Sequence, residues 1–301
     1  MSRLIPRSLE AVNEEIAINS SGWKIKGWSR AGCQTGFILY PFKILLDAGL
    51  TSSQKFDHVF ITHQHVDHVH NLPLVCSRHK PGTNNVYVPA SSVEIIGKYF
   101  RLISELSSNQ AITMSDDEIL KHQNVQIIGT NPGQIINLEK EGLVVEVLQA
   151  HHDVQSNGYG FNSWKKIIKP EYETIINEKN VSKIKELKSQ GIEMYDKVLK
   201  PEFIYYCDST VENLTLHEEW KKYPCVIVEC TGLFDEDANS NRDFDENHSS
   251  LKLLKPIMLA HMDKRWILIH VSMKLSQSEI ANTEEKLKLL GLNVQICRGE
   301  M

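Results

Sequence analysis

The segment Thr62-His63-Gln64-His65-Val66-Asp67-His68 places four side chains that can bind a metal ion within six positions. Its histidines follow an apolar run over 59–62 that is typical of a buried strand. Imidazole and carboxylate groups at such a strand end are costly unless a cation satisfies them, and zinc accepts both as ligands. Because alternate residues of an extended chain point the same way, the first two histidines can share one ion. Asp67 and His68, beyond the bend, can reach a second, so the segment predicts a two-metal site; the alternative is a histidine-rich surface loop.

Short runs rich in Val, Ile, Tyr and Phe predict strands on both sides of this segment. They lie at 36–46, 58–62, 85–89, 124–129, 203–207, 225–229, 266–271 and 293–297, with a hairpin at 41–42 and another at 141–142 between 135–138 and 143–148. Helical patterns lie at 91–106, 181–190, 217–222, 249–262 and 276–290. Hairpins followed by alternating strands and helices predict an α/β (α+β) fold in which helices cover sheets.

The domain organisation predicted from the sequence is a single domain over 1–301, because no repeat or Pro/Gly/Ser-rich linker divides the chain. The stretch at about 160–202 is dense in Lys and Glu, and we expect it to form an exposed helical excursion. Its alternative is a solvated helix face without a function of its own.

Composition and charge place the chain among ordinary globular proteins, with 301 residues, 41% hydrophobic residues and a net charge of -5. This charge argues against a protein that coats nucleic acid indiscriminately. No segment approaches the roughly 20 apolar residues of a membrane helix, and residues 1–10 contain no apolar stretch typical of a signal peptide. The six cysteines form no C-x-x-C pair, which favours unpaired thiols in a reducing compartment. We therefore expect a soluble cytoplasmic protein without a membrane partner; an organelle or the nucleus is the alternative.

Six motifs in sequence order resemble those of the metallo-β-lactamase superfamily, and specifically those of ribonuclease Z, the tRNA 3′-processing endonuclease family. They are ILLDAG at 44–49, the extended signature over 60–73, AHHDVQSNGY at 150–159, YCDST at 206–210, VECT at 228–231 with NHS at 247–249, and IHVS at 269–272. In the fourth motif, Cys207 stands where the family usually has glycine. The N-terminal region over 28–36 and the stretch over 160–202 do not match the family's own loop and its Gly/Pro-rich arm.

The resemblance implies a four-layer αββα sandwich, two Zn²⁺ ions per chain (with Mn²⁺ or Fe²⁺ as alternatives) and a homodimer. It selects His152 over His151, because the family's metal-binding histidine stands six residues before the glycine at 158. It implies His63, His65 and His152 at the first ion, Asp67, His68 and His270 at the second, and Asp208 as the bridge. Asp47 would support the metal-binding loop.

The function that this resemblance implies is that of a metal-dependent phosphodiesterase and endoribonuclease acting on the 3′ trailer of precursor tRNA. In this hypothesis Asp67 orients a hydroxide activated by the two zinc ions. His248, hydrogen-bonded to Glu229, protonates the leaving 3′-oxygen, because a carboxylate behind a histidine favours the imidazolium and fixes its tautomer. The alternatives are a small-molecule hydrolase of the same fold, for β-lactams, acylglutathiones or lactones, and a non-catalytic binding protein. The acidic charge and the missing arm favour the small-molecule hydrolase.

Overall fold

The structure is a computed structural model that describes residues 6, 8–77, 83–108, 113–233 and 247–299. Its first sheet has the strand order β1-β2-β3-β4-β5-β6-β7, with β14 paired to β2. The pairs from β1 to β4 are antiparallel, and those from β4 to β7 are parallel. The strands are β1 Glu15–Ala17, β2 Lys24–Ala31, β3 Gln34–Tyr40, β4 Ile44–Leu46, β5 His58–Phe60, β6 Asn84–Pro89, β7 Val125–Thr130 and β14 Val271–Ser272.

The second sheet has the order β15-β13-β12-β11-β10-β9-β8 and likewise changes from parallel to antiparallel pairing. The change falls at β11, which is parallel to β12 and antiparallel to β10. Its strands are β8 Ile135–Leu138, β9 Leu143–Ala150, β10 Ser156–Ile168, β11 Tyr195–Tyr205, β12 Cys225–Glu229, β13 Arg265–Ile269 and β15 Asn293–Ile296.

Helices cover the outer face of each sheet. The described helices are α1 Val66–Val69, α2 Leu72–Ser77, α3 Val93–Leu106, α4 Asp116–His122, α5 Glu173–Asn177, α6 Val181–Ser189, α7 Glu212–Thr215, α8 Leu251–Ala260 and α9 Gln277–Leu289, of which α5 and α6 belong to the segment between β10 and β11. None of the helices in these ranges is long and apolar enough to cross a membrane. In α9, the N-cap Ser276 accepts a hydrogen bond from the Glu279 amide, as a capping box requires.

Three hydrophobic clusters hold the layers together. Side chains of both sheets, including Phe37, Phe60 and Phe161, fill the space between the sheets. A second cluster packs α8 and α9 on the second sheet, and a third packs α2 and α3 on the first. Removing this apolar surface from water is the main favourable contribution to stability. The predicted four-layer αββα sandwich is therefore confirmed.

The segment over 160–202 differs from the helical excursion expected for it. Strands β10 and β11 continue past the core as a two-stranded arm, in which residues 162–168 pair with residues 195–201, and α5 and α6 lie between the two strands in sequence. The predicted helix over 181–190 is present as α6, but the lysine-rich stretch before it is a strand. Its Trp and Ile residues favour extended structure, and pairing with β11 outweighs the local charge pattern.

Candidate metal centre

Parallel strands of both sheets end at one edge of the sandwich, and the segments that follow them carry the predicted site residues. The loop after β5 carries His63 and His65, and α1 carries Asp67 and His68. The chain after β11 carries Asp208, and the chain after β13 carries His270. Because carboxyl ends of parallel strands meet at one edge, residues far apart in sequence converge there.

Asp47, directly after β4, holds the signature loop in place from the interior. Its Oδ1 accepts hydrogen bonds from the Thr62 amide (2.8 Å) and the Thr62 hydroxyl (3.0 Å). Its Oδ2 accepts the Tyr205 hydroxyl at 2.8 Å and lies 3.2 Å from His68 Nδ1. All four residues are buried, and Asp47 lies behind a candidate ligand histidine in the position of an outer-shell carboxylate. This is the supporting role that the family resemblance implies.

Gly49 lets the backbone approach the metal loop closely. A Cβ atom there would lie 2.0 Å from the Asp67 carbonyl oxygen and 2.6 Å from the backbone of Thr35. The neighbouring Ala48 amide donates to the His68 carbonyl at 2.7 Å. Any side chain at position 49 would push the loop outward, which explains the glycine in this motif physically.

The first candidate ligand group consists of His63, His65, His152 and Asp208, whose ligand atoms lie within 4.8 Å of one another. The three imidazole rings are 4.6 to 5.0 Å apart. His152 Nδ1 donates to the Asn247 carbonyl at 3.1 Å, which leaves Nε2 as the ring nitrogen with a lone pair. A carbonyl behind a metal-binding histidine fixes its tautomer in this way.

The second candidate group consists of Asp67, His68, Asp208 and His270. Asp208 Oδ1 lies 3.3 Å from His68 Nε2 and 3.2 Å from His270 Nε2. Its other oxygen, Oδ2, lies 3.8 Å from His63 Nε2 in the first group. The two oxygens of one buried carboxylate thus face different groups, which is the arrangement that a bridging ligand needs.

Buried ring nitrogens without hydrogen-bond partners indicate that these residues fit divalent metal ions. The Nε2 atoms of His63, His68 and His270 are buried and make no hydrogen bond with the described residues. Buried ring nitrogens without partners are costly, and ions bound by nitrogen and oxygen would satisfy them. Burial lowers the pKa of His63 well below its ordinary value, so its imidazole is neutral, as a metal ligand must be.

The carboxylates of the site are held in their charged form. Burial alone would raise the pKa of Asp67, but the nearby imidazoles of His270 and His68 keep it below the ordinary value. For Asp208, burial acts in the same direction and the charges of His270 and His68 outweigh it, so its pKa is also lowered. The edge therefore concentrates negative charge where cations would bind.

Glu229 and His248 lie beside both groups as a hydrogen-bonded pair. His248 Nδ1 is 3.0 Å from Glu229 Oε1, and the buried carboxylate also accepts the Ser209 amide (2.5 Å) and the Thr231 hydroxyl (2.6 Å). The His248 ring lies 5.3 Å from that of His152 and 5.6 Å from that of His270. A positioned imidazole thus borders both ligand groups.

The structure brings together every residue that the sequence predicted for the site. It also separates the two adjacent histidines: His152 joins the first group, whereas His151 Nε2 lies 2.9 Å from His217 Nε2. Sequence reasoning missed Asp153, a carboxylate at the first group, although its place beside His152 was a signal. It also missed that the Cys207 thiol donates to Asp208 Oδ1 at 3.3 Å, which only the structure reveals.

The chain is similar to known proteins in sequence and in fold. A family model described as a β-lactamase superfamily domain matches residues 43–165, which include the signature loop and His152. This match covers less than half of the chain. Its architecture is similar to that of the metallo-β-lactamase fold protein YhfI from Bacillus subtilis, with a TM-score of 0.52 at 13% identity over 91% of this chain and 95% of that chain.

Sequence relatives extend the similarity beyond the β-lactamase superfamily domain. The chain is 27% identical to tRNase Z TRZ1 of Arabidopsis thaliana over 285 residues, which is 92% of this chain and 95% of the relative. It is 27% identical to the chloroplastic tRNase Z TRZ2 of the same plant, over 96% of this chain and 80% of the relative. The resemblance to ribonuclease Z proteins predicted from the motifs is confirmed.

Proposed function

We propose that the protein is a metal-dependent endoribonuclease of the ribonuclease Z type, which removes the 3′ trailer of precursor tRNA. The observation that carries the proposal is the pair of His248 and Glu229 placed against both ligand groups. The 3′-oxygen that leaves from a phosphodiester needs a proton, and an imidazole held by a buried carboxylate beside both ligand groups is placed to supply it. The relatives named tRNase Z, similar over most of the chain, support the same substrate.

The proposed cofactor is two divalent ions per chain, with zinc first and Mn²⁺ or Fe²⁺ as alternatives. When bound, such a pair activates water at neutral pH and stabilises negative charge on a phosphodiester. The residues proposed to hold the ions are His63, His65 and His152 at the first, Asp67, His68 and His270 at the second, and Asp208 at both.

The chain's own residues orient the reactants and move the protons. Asp67 remains ionised, since the nearby His270 and His68 imidazoles lower its pKa, and its carboxylate orients the attacking water. Glu229 accepts a hydrogen bond from His248 Nδ1, so proton exchange with the substrate falls to Nε2. The buried negative charge of Glu229 stabilises a positive imidazole, and His248 then donates its proton to the leaving 3′-oxygen.

The arm formed by β10 and β11 supports a nucleic-acid substrate. Lys166 and Lys197 are exposed and lie directly opposite each other on the two strands. Trp164 and Leu199 form the pair two residues closer to the core, on the same face of the arm. Like charges opposite each other are unfavourable, and a phosphate between them would relieve the repulsion. Trp164 is 51% exposed and offers a surface on which a base can stack.

The deciding experiment is cleavage of end-labelled precursor tRNA by the metal-analysed protein, beside nitrocefin as a small-molecule substrate. We expect cleavage after the discriminator nucleotide, and His248→Ala should lower turnover about 10²–10⁴-fold with unchanged metal content. Replacing Lys166 and Lys197 by Gln should raise KM and leave kcat unchanged. Intact tRNA together with nitrocefin turnover would overturn the proposal in favour of a small-molecule hydrolase. Loss of metal in His248→Ala would instead assign that histidine as a ligand.

We further propose a cytoplasmic homodimer. The dimer is inferred from the resemblance to ribonuclease Z proteins. The compartment is inferred from the composition and from the six cysteines, which are all free thiols in the described part of the chain. Light scattering of the purified protein tests the first statement, because a homodimer would have twice the 34.4 kDa mass of the chain. Fluorescence microscopy of the tagged chain tests the second.

A further inference from the structure

Cys207 is a buried thiol directly before the candidate bridging carboxylate. Its side chain lies in the hydrophobic cluster between the two sheets and is 1% exposed. The Cys207 thiol donates a hydrogen bond to Asp208 Oδ1 at 3.3 Å. The same oxygen lies 3.3 Å from His68 Nε2 and 3.2 Å from His270 Nε2. The thiol therefore contacts the carboxylate oxygen that faces the second ligand group.

Other hydrogen bonds hold the backbone on either side of Asp208. The Ser209 amide donates to Glu229 Oε1 at 2.5 Å, and the Ser209 carbonyl accepts the Ser249 hydroxyl at 2.8 Å. The Ser209 hydroxyl donates to the Cys207 carbonyl at 2.8 Å. These contacts fix where the Asp208 side chain begins, but the rotation of its carboxylate depends on the groups that touch the two oxygens.

The thiol differs from the imidazoles around Asp208 because it can donate a hydrogen bond while ions are bound. The Nε2 atoms of His63, His68 and His270 face the carboxylate, and each needs its lone pair to bind an ion. A ring nitrogen that uses its lone pair in this way carries no hydrogen to donate. Apart from these imidazoles, Cys207 is the one side chain among the described residues that donates to the Asp208 carboxylate.

We propose that Cys207 is a positioning residue, whose thiol holds the Asp208 carboxylate with Oδ1 toward the second ligand group and Oδ2 toward the first. The inference rests on the metal centre of the proposed function, but not on its RNA substrate. Rotation of the carboxylate would move both oxygens away from their groups at once, because each oxygen faces a different group. Removal of an outer-shell hydrogen bond of this kind lowers metal affinity about 10–100-fold.

The experiment compares the wild-type chain with Cys207→Ala, which removes the donor, and Cys207→Ser, which keeps one. Cys225→Ala is the matched control, because Cys225 is equally buried in the same cluster but begins β12, at the end of that strand opposite to Glu229. Each protein is freed of metal with a chelator. It is then titrated with Zn²⁺ in competition with a coloured chelator, and with Mn²⁺ by calorimetry. Circular dichroism verifies that each variant is folded.

We expect Cys207→Ala to bind both metals about tenfold or more weakly than the wild type, whereas Cys207→Ser and Cys225→Ala should bind them as the wild type does. A role of Cys207 in packing alone predicts equal metal binding in the two alanine variants, since each removes one sulfur atom from the same cluster. Wild-type affinity in Cys207→Ala would therefore overturn the assignment.

Cys207→Ser keeps the proposal testable even if Cys207→Ala does not fold. Its hydroxyl can donate the same hydrogen bond, so a loss of metal affinity in the folded serine variant would also overturn the assignment. The measurement needs no substrate. Weaker binding in Cys207→Ala, in a chain that leaves precursor tRNA intact, would support the positioning role and refute only the ribonuclease.

Discussion

Replacing Tyr205 by Phe tests whether the buried Asp47 carboxylate connects the core to the metal loop. The change removes one hydroxyl, which donates to Asp47 Oδ2 at 2.8 Å, and leaves the ring volume unchanged at a site with 0% exposure. A hydrogen bond to a charged group contributes about 1.5–3 kcal/mol, and a buried carboxylate that loses a donor keeps its desolvation cost. We therefore expect Tyr205→Phe to lower the free energy of unfolding by about 1.5–3 kcal/mol.

Tyr159→Phe is the matched control, because Tyr159 is equally buried but donates to the neutral carbonyl of Ile61 at 2.7 Å. A hydrogen bond between neutral groups contributes about 1 kcal/mol, so this variant should lose roughly half as much stability. Urea unfolding of the metal-free proteins, followed by tryptophan fluorescence, gives the free energy of unfolding of each variant. If unfolding is two-state, this free energy should fall with urea concentration at the same slope in both variants.

The second measurement is metal retention. Asp47 Oδ2 also lies 3.2 Å from His68 Nδ1, so Tyr205→Phe should release one ion more readily to a chelator, whereas Tyr159→Phe should not. Equal losses of stability in the two variants, with equal metal retention, would refute the reasoning. Asp47 would then be satisfied by Thr62 alone and would not transmit the packing of β11 to the metal loop.

Two more predictions concern the packing around the site. Gly49→Ala should lower the free energy of unfolding by about 3 kcal/mol or more and reduce bound metal, because the added Cβ would lie 2.0 Å from the Asp67 carbonyl oxygen. Gly97→Ala lies in α3, where no neighbouring atom is within 4 Å of the added Cβ, and should instead stabilise the protein by up to about 1 kcal/mol. Urea unfolding of both variants measures the two changes in the free energy of unfolding. In a thiol assay the native protein should react through Cys33 at most, because the other five cysteines are at most 1% exposed and burial raises the pKa of Cys76 to about 12. All six should react in urea, and two or more reactive thiols in the native state would contradict the packing described.

Residues close together in sequence could be interpreted without a structure. The signature segment over 62–68 contains four of the seven candidate ligands, so its chemistry was evident from spacing alone. The strands around it were also predictable, because runs such as 58–62 and 225–229 are apolar over a strand's length. Strand β2, Lys24–Ala31, escaped prediction, since Lys, Gly, Ser and Arg interrupt its apolar residues and only pairing with β3 makes it a strand.

The αββα sandwich was implied by the resemblance of the motifs to a known family. The sequence by itself determined the class of site: imidazoles and carboxylates in a fixed order along the chain. Local chemistry suffices for this, because ligand type and spacing within one loop do not depend on distant residues. The tertiary structure alone decided which oxygen of Asp208 faces which group, that His151 turns away to His217, and that Asp153 approaches His152 and His65. These are orientations of side chains across loops from different strands, and packing fixes them only after the two sheets have come together.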